Sequence, residues 1–221
     1  MNCSGASLRL WDRVFDRVRR ELGDAPGCHD FAHTLRVLKN AERIASEVPG
    51  CDPDAVRFGA LLHDVARPEE LASGGKLCHA ALGADKAKRI LEEEGCEDEA
   101  FVRHVSEIVR THRYRGKLKP ATPEACIVYD ADKLDSLGAF GVARAFHFAG
   151  RIGACLHNSE QDALGSESYS SQDSAYREYL VKLRGLPDHL LTEPARRFAA
   201  DRAAFMHDFF ARLNEEQEGR R

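Results

Sequence analysis

The stretch Leu61-Leu62-His63-Asp64-Val65 sets a histidine and an aspartate side by side at the end of an apolar run. Three other segments offer this pair a partner: His33 upstream, and His112 and Asp130 downstream. Val56, Ala60 and His63 share one face of a helix that begins at Asp52-Pro53, an N-cap followed by proline at the first helical position. Neighbouring helical residues project about 100° apart. His63 and Asp64 therefore reach one point only where the helix ends and Asp64 turns inward. Arg67-Pro68, just beyond, reads as that stop.

Outward from this centre the chain is helical nearly throughout. Leu10, Val14 and Val18 repeat at helical spacing within 8–22, and Gly23 and Pro26 close that segment. A second helix spans about 30–48, with Phe31, Leu35, Leu38, Ala41 and Ala45 on its apolar face and His33 in line with Val37 and Ile44. Helices are expected over 79–94 and 98–112. In the latter, Phe101, Val105, Ile108 and His112 fall on one side. A basic loop, Arg113 to Pro120, leads to a helix from Glu124 carrying Ile127, Asp130, Leu134 and Leu137 on one stripe, with Asp132 and Asp135 pointing elsewhere. Residues 138–149 predict a small-residue helix packed closely on a neighbour, and 150–173, rich in Gly, Ser, Asp and Gln, a long loop or insertion. Helices over 174–183 and 193–214 close the chain. The expectation is an all-α fold with 1–221 as a single domain, its core about 15–149 plus 174–214.

With 43% hydrophobic residues in 221, the chain can bury a real core. A formal charge of -4 argues against coating nucleic acid or an anionic membrane by bulk charge. No run approaches the ~18 apolar residues of a membrane span, and the N-terminus lacks an apolar signal core, so the expected location is cytoplasmic. Seven scattered cysteines without a CxxC read as reduced thiols. A homodimer stays open.

Burying an ionised carboxylate such as Asp64 or Asp130 costs several kcal/mol unless a cation or hydrogen bonds offset it. Neutral imidazole together with carboxylate suits Mn, Fe, Co, Ni or Zn better than Ca. A calcium loop at Asp130-Ala131-Asp132 fails, because its sixth and twelfth positions hold Asp135 and Gly141 rather than Gly and Glu.

His33, the His63-Asp64 pair and Asp130 follow an H…HD…D order, and the chain resembles the HD-domain metal-dependent phosphohydrolases, in particular their small bacterial single-domain branch. The stretches His29 to Val37, Ala60 to Arg67 and Tyr129 to Ala139 are similar to that family's three motifs, and the last helix, with Thr192-Glu193 and Ala200-Asp201-Arg202, to its closing segment. The resemblance implies a helical bundle with a divalent metal (Mn, Mg, Fe, Co, Ni or Zn) held between central helices by His33, His63, Asp64 and Asp130, one ion per chain favoured. It implies hydrolysis of a nucleotide or related phosphate ester by metal-activated water, with Asp64 and His112 as catalytic groups. His112 can protonate a leaving oxygen, the ordinary imidazole pKa of ~6.5 being suited to proton transfer at neutral pH. Arg36, His79, Lys133 and Arg144 are expected to contact the substrate phosphate. His29-Asp30 is a decoy in this reading, with Asp30 a helix cap.

The rival enzyme is a di-iron oxygenase of HD type, with ligands in the order H…HD…H…H…D; His33, His63, Asp64, His79, His112 and Asp130 supply that order. A non-catalytic nucleotide-binding module is the rival of another class. Nucleic-acid binding through the basic loop is weighed down by the acidic chain as a whole.

Overall fold

A computed structural model describes residues 5–23, 29–74, 76–113 and 118–221, with side chains from residue 9 onward. The expected helix end at Pro26 and the core of the basic loop, residues 114–117, lie outside the described residues. The fold is all-α, with no strand among the described residues, and none of its helices is long and apolar enough to cross a membrane. The chain divides into two compact units, Met1–Asp132 and Lys133–Arg221.

The first unit holds α1 (Gly5–Leu22), α2 (Phe31–Ala45), α3 (Pro53–Leu62), α4 (Arg67–Ala72), α5 (His79–Glu93), α6 (Glu99–Thr111) and most of α7 (Pro123–Leu134). α2 packs on α3, α3 on α6 and α6 on α5. Trp11, Phe58 and Phe101 stack edge-on through the core, with ring centroids 5.2 and 5.5 Å apart. Asp30 and Asp52 cap their helices as the sequence indicates, accepting from the His33 amide and from Asp54 and Ala55, and Asp98 does the same for Ala100 and Phe101 and Thr192 in the second unit for Ala195.

Arg67-Pro68 differs from expectation. It starts the short helix α4, with Pro68 in the first turn, where a missing amide hydrogen costs nothing. The break between α3 and α4 falls instead at residues 63–66, a turn, so Asp64 is released from helical geometry as the site requires.

The second unit contains α8 (Gly138–Arg151), α9 (Glu160–Gly165), α10 (Ala175–Val181), a 3-10 turn over Leu183–His189, and α11 (Glu193–Gln217). The small-residue helix α8 packs on α11. A Cβ at Gly138 (φ +70°) would come within 3.2 Å of the Arg202 side chain. Residues 150–173, expected as loop, hold α9 and a polar network. Asn158 Nδ2 donates to the Gln172 carbonyl (2.9 Å), Ser174 Oγ donates to Asn158 Oδ1 (2.6 Å), and Arg177 pairs with Asp173 (2.9 Å).

Gly59, one turn before His63, lets α3 approach α6. A Cβ there would lie 2.6 Å from Ile108 Cγ2. Alanine gains about 1 kcal/mol of helix propensity over glycine, but overpacking against a fully buried, β-branched neighbour costs about 1–3 kcal/mol. Gly59→Ala is thus expected to lower Tm by several degrees. In a double-mutant cycle with Ile108→Ala, the two losses should be less than additive; additive losses would show that the contact is not what the glycine serves.

Candidate metal centre

The site is assembled from helix ends. His63 is the C-cap of α3 and His112 the C-cap of α6. The last carbonyls of a helix lack amide partners, and each imidazole turns back onto one of them: His63 Nδ1 lies 2.7 Å from the Ala60 carbonyl, His112 Nδ1 2.7 Å from that of Val109. A carbonyl only accepts, so both rings carry their proton on Nδ1 and present a bare Nε2 when neutral. His33 sits in the first turn of α2, and His79 opens α5. His79 Nδ1 lies 2.9 Å from Glu70 Oε2, so it too presents Nε2.

The four Nε2 atoms meet in pairs, His33 with His63 and His79 with His112, each at 3.3 Å. Asp64 stands between the pairs with its side chain 1% exposed. Its Oδ2 is 3.7 Å from His33 Nε2 and 3.5 Å from His63 Nε2. Its Oδ1 is 3.6 Å from His79 Nε2 and 3.5 Å from His112 Nε2. Two nitrogens each about 2.1 Å from one ion, at right angles, stand about 3 Å apart. Converging ring nitrogens, three of them bare by their Nδ1 bonds, and a carboxylate at these separations fit a divalent cation. Burial pushes His63 down to about 3 and His79 down to about 4, so neither brings its own proton to the contact at neutral pH. Burial alone would raise the Asp64 carboxyl, but Arg67 and the imidazoles of His63 and His29 hold it well below the carboxylate range.

The fourth donor differs from expectation. Asp132 Oδ1 lies 3.4 Å from His33 Nε2, and Asp132 joins His33 and His63 in one metal-capable group. Asp130, fully buried, belongs to none of the metal-capable groups among the described residues. Two positions along a helix turn the direction by about 200°. Since Ile127, Val128, Tyr129, Ala131 and Leu134 are all buried, the apolar stripe could not tell which face of α7 meets His33.

His29 also lies in the cluster rather than outside it. Asp30 caps α2 as expected, while His29 Nδ1 approaches Asp64 Oδ2 to 2.8 Å. Burial pushes His29 down to about 4 against the pull of Asp64, so the neutral ring donates from Nδ1 and orients the carboxylate. His79, expected as a substrate contact, falls in the group of Asp64 and His112. Arg36 is half-buried on α2. Lys133 and Arg144 belong to the second unit, where Lys133 is buried and Arg144 donates to Asp135 Oδ2 at 2.8 Å. Among the described residues, Arg67 Nε donates to Asp64 Oδ1 at 3.1 Å, and Arg113 stands 3.6 Å from Glu70 Oε1.

The sequence pattern of the HD domain family matches residues 30–137. The protein YpgQ of Bacillus subtilis is 33% identical over 96% of both chains. Its crystal structure in complex with ADP superposes with a TM-score of 0.72 at 29% identity, covering 95% of this chain and 96% of that one. A predicted HD superfamily hydrolase from an uncultured Thermotogales bacterium gives a TM-score of 0.67 at 30% identity over 98% and 99% of the two chains. Ribonuclease Y of Thermotoga petrophila is 32% identical over 104 residues, 47% of this chain but 18% of that enzyme.

His63 and His79 stay neutral in the fold down to about 3 and 4, whereas a histidine in the unfolded chain titrates near 6.5. The unfolded state therefore binds more protons between those values. Stability of the metal-free protein should rise with pH across that window and be lost as pH falls from about 6.5 toward 4, by up to about 1.4 kcal/mol per pH unit for each such histidine. Asp64 acts in the same direction at lower pH, its contribution fading as the carboxylate is protonated. Calorimetric Tm values between pH 7 and 4.5 test this; a flat profile would mean that the imidazoles are not held neutral.

Proposed function

Since the chain belongs to the HD superfamily, whose solved members resembling it include hydrolases, we propose that it is a metal-dependent phosphohydrolase acting on a nucleotide or a related phosphate ester. The observation that carries this reading is the buried Asp64 carboxylate flanked by two pairs of Nε2 atoms 3.3 Å apart. His33, His63, Asp64 and Asp132 would hold the cation. When bound, a divalent cation supplies an acidified water and a Lewis acid for a phosphoryl oxygen.

The protein's own groups do the rest. The Nδ1–H bonds of His63 and His112 to their helix carbonyls keep Nε2 aimed inward without further ordering cost. His112 Nε2, 3.5 Å from Asp64 Oδ1, is placed to take a proton from the attacking water or give one to the leaving oxygen. Arg67, paired with Asp64, and Arg113, beside Glu70, would supply positive charge to the phosphoryl oxygens of a bound substrate. That YpgQ has been crystallised with ADP supports a nucleotide as substrate. The ribonuclease Y match, confined to a fifth of that enzyme, supports a shared kind of site rather than a shared substrate.

A two-ion centre is the second reading, favoured by Asp64 turning one oxygen to each imidazole pair. Metal analysis giving two irons per chain together with O2 consumption would select the oxygenase form of it.

The primary test is phosphate release from nucleoside mono-, di- and triphosphates by protein loaded with Mn2+. Asp64→Asn and His63→Ala should each lower kcat/KM on the order of 100-fold or more and reduce bound metal. Intact turnover and metal content in both variants would show that the site is misassigned, and absence of phosphate release by the unaltered protein would remove the hydrolase reading. Asp132→Asn should lose metal whereas Asp130→Asn should retain it; the reverse pattern would return Asp130 to the ligand set.

A further inference from the structure

Among the histidines of the cluster, His79 solves a problem that His63 and His112 do not face. At a helix C-terminus the backbone offers spare carbonyls, and both of those rings use one. His79 is the first residue of α5, and a helix N-terminus offers only amide donors. Nothing in the adjoining backbone can hold its Nδ1 proton. The acceptor comes from α4 instead: Glu70 Oε2, 2.9 Å away.

Glu70 is itself a buried acid, 7% exposed, and it is fixed from three sides. Arg67 Nη1 donates to the same Oε2 at 2.5 Å, and Arg113 Nη2 stands 3.6 Å from Oε1. Arg67 also reaches Asp64 Oδ1. The contacts close a circuit from Asp64 through Arg67 and Glu70 to His79, whose Nε2 lies 3.6 Å from Asp64 Oδ1. Burial would raise the Glu70 carboxyl, but the His79 bond and Arg67 hold it below its ordinary value, so it remains an anion.

We propose that Glu70 is a positioning residue that locks His79 in the Nδ1-protonated tautomer, with Nε2 turned to Asp64 and His112, and that its charge makes His79 Nε2 a stronger donor than that of His63 or His112, whose Nδ1 partners are neutral carbonyls. A carboxylate accepts and cannot donate, so only one tautomer satisfies the bond. A charge-assisted bond is also about twice as strong as one to a neutral carbonyl. Such a partner raises the donor strength of the opposite nitrogen, and removing one of this kind typically costs about 10–100-fold in metal affinity or activity. The effect on metal affinity rests on the two-ion reading, in which Asp64, His79 and His112 hold an ion, and the role in turnover on the phosphohydrolase reading; the tautomer rests on neither.

Glu70→Gln is the informative variant, because an amide can accept from Nδ1–H or, flipped, donate to a bare Nδ1. With 15N-labelled histidine, the metal-free protein is expected to show His79 protonated at Nδ1 alone, and Glu70→Gln to show both tautomers with Tm changed by only a few degrees. Mn2+ affinity by calorimetry should fall about 10–100-fold in Glu70→Gln. In a phosphatase assay kcat should fall within the same range with KM little changed, and Glu70→Asp should restore part of both. An Nε2-protonated His79 in the unaltered protein would overturn the proposal. So would a Glu70→Gln protein that keeps one tautomer, full Mn2+ affinity and full kcat. Absence of hydrolysis in the unaltered protein, with the tautomer and Mn2+ results as expected, would remove the hydrolase reading and leave the Glu70 assignment standing.

Discussion

One buried carboxylate constrains this structure more than any other group. Asp64 is ionised and almost entirely removed from water, a placement that costs several kcal/mol unless the surroundings repay it. Repayment comes from two donated hydrogen bonds, from His29 before α2 and Arg67 at the start of α4, and the imidazoles at the ends of α3, α5 and α6 stand around the same acid, so that five separate segments converge on it. None of these segments can move far without leaving the acid short of a partner. The packing of α2 on α3, α3 on α6 and α6 on α5 is thus the frame that one anion requires.

Helix ends, rather than helix faces, supply the chemistry. A histidine within a helix must compete for space on a packed face, and the neighbouring backbone has no free hydrogen-bonding group to orient it. At a terminus the unpaired backbone groups become the orienting device. For His63 and His112 the orphan carbonyls three residues back take the Nδ1 proton. At the opposite end of a helix the side chain must find its acceptor elsewhere, and the arrangement of α4 against α5 provides Glu70 for that purpose. Polarity of the helix therefore decides whether the backbone or a distant acid fixes the ring.

Much of this was legible in the residues. Helical periods, proline at the first helical position and aspartate caps gave the order of the elements, and the apolar run before His63 marked the centre of the site. The ring of donors was harder to read. Asp130 and Asp132 sit on opposite faces of a helix buried nearly all round, so hydrophobic patterning carried no information about which one meets His33. His29 is masked by Asp30, whose capping role is real and by itself accounts for an acid at the helix start. Its one signal was the four-residue step to His33. Glu70 was hidden by taking Arg67-Pro68 as a stop, where proline in fact begins α4 and carries the acid to His79. Local patterns specify elements; which polar atoms meet is decided by packing between segments distant in the chain.

The lone pairs of Asp64 show how the site can be satisfied and still open. A carboxylate has about four acceptor positions, two on each oxygen. Arg67 Nε takes one on Oδ1 at 3.1 Å, and His29 Nδ1 takes one on Oδ2 at 2.8 Å. These two bonds fix the plane of the group and leave one position per oxygen, each directed toward a pair of Nε2 atoms. If structural bonds filled all four positions, the acid would be stable and inert. If none did, it would be free to turn, and the donors around it would lose their common focus. Two fixed positions and two available ones let the same residue hold the fold's central charge and present it to a cation.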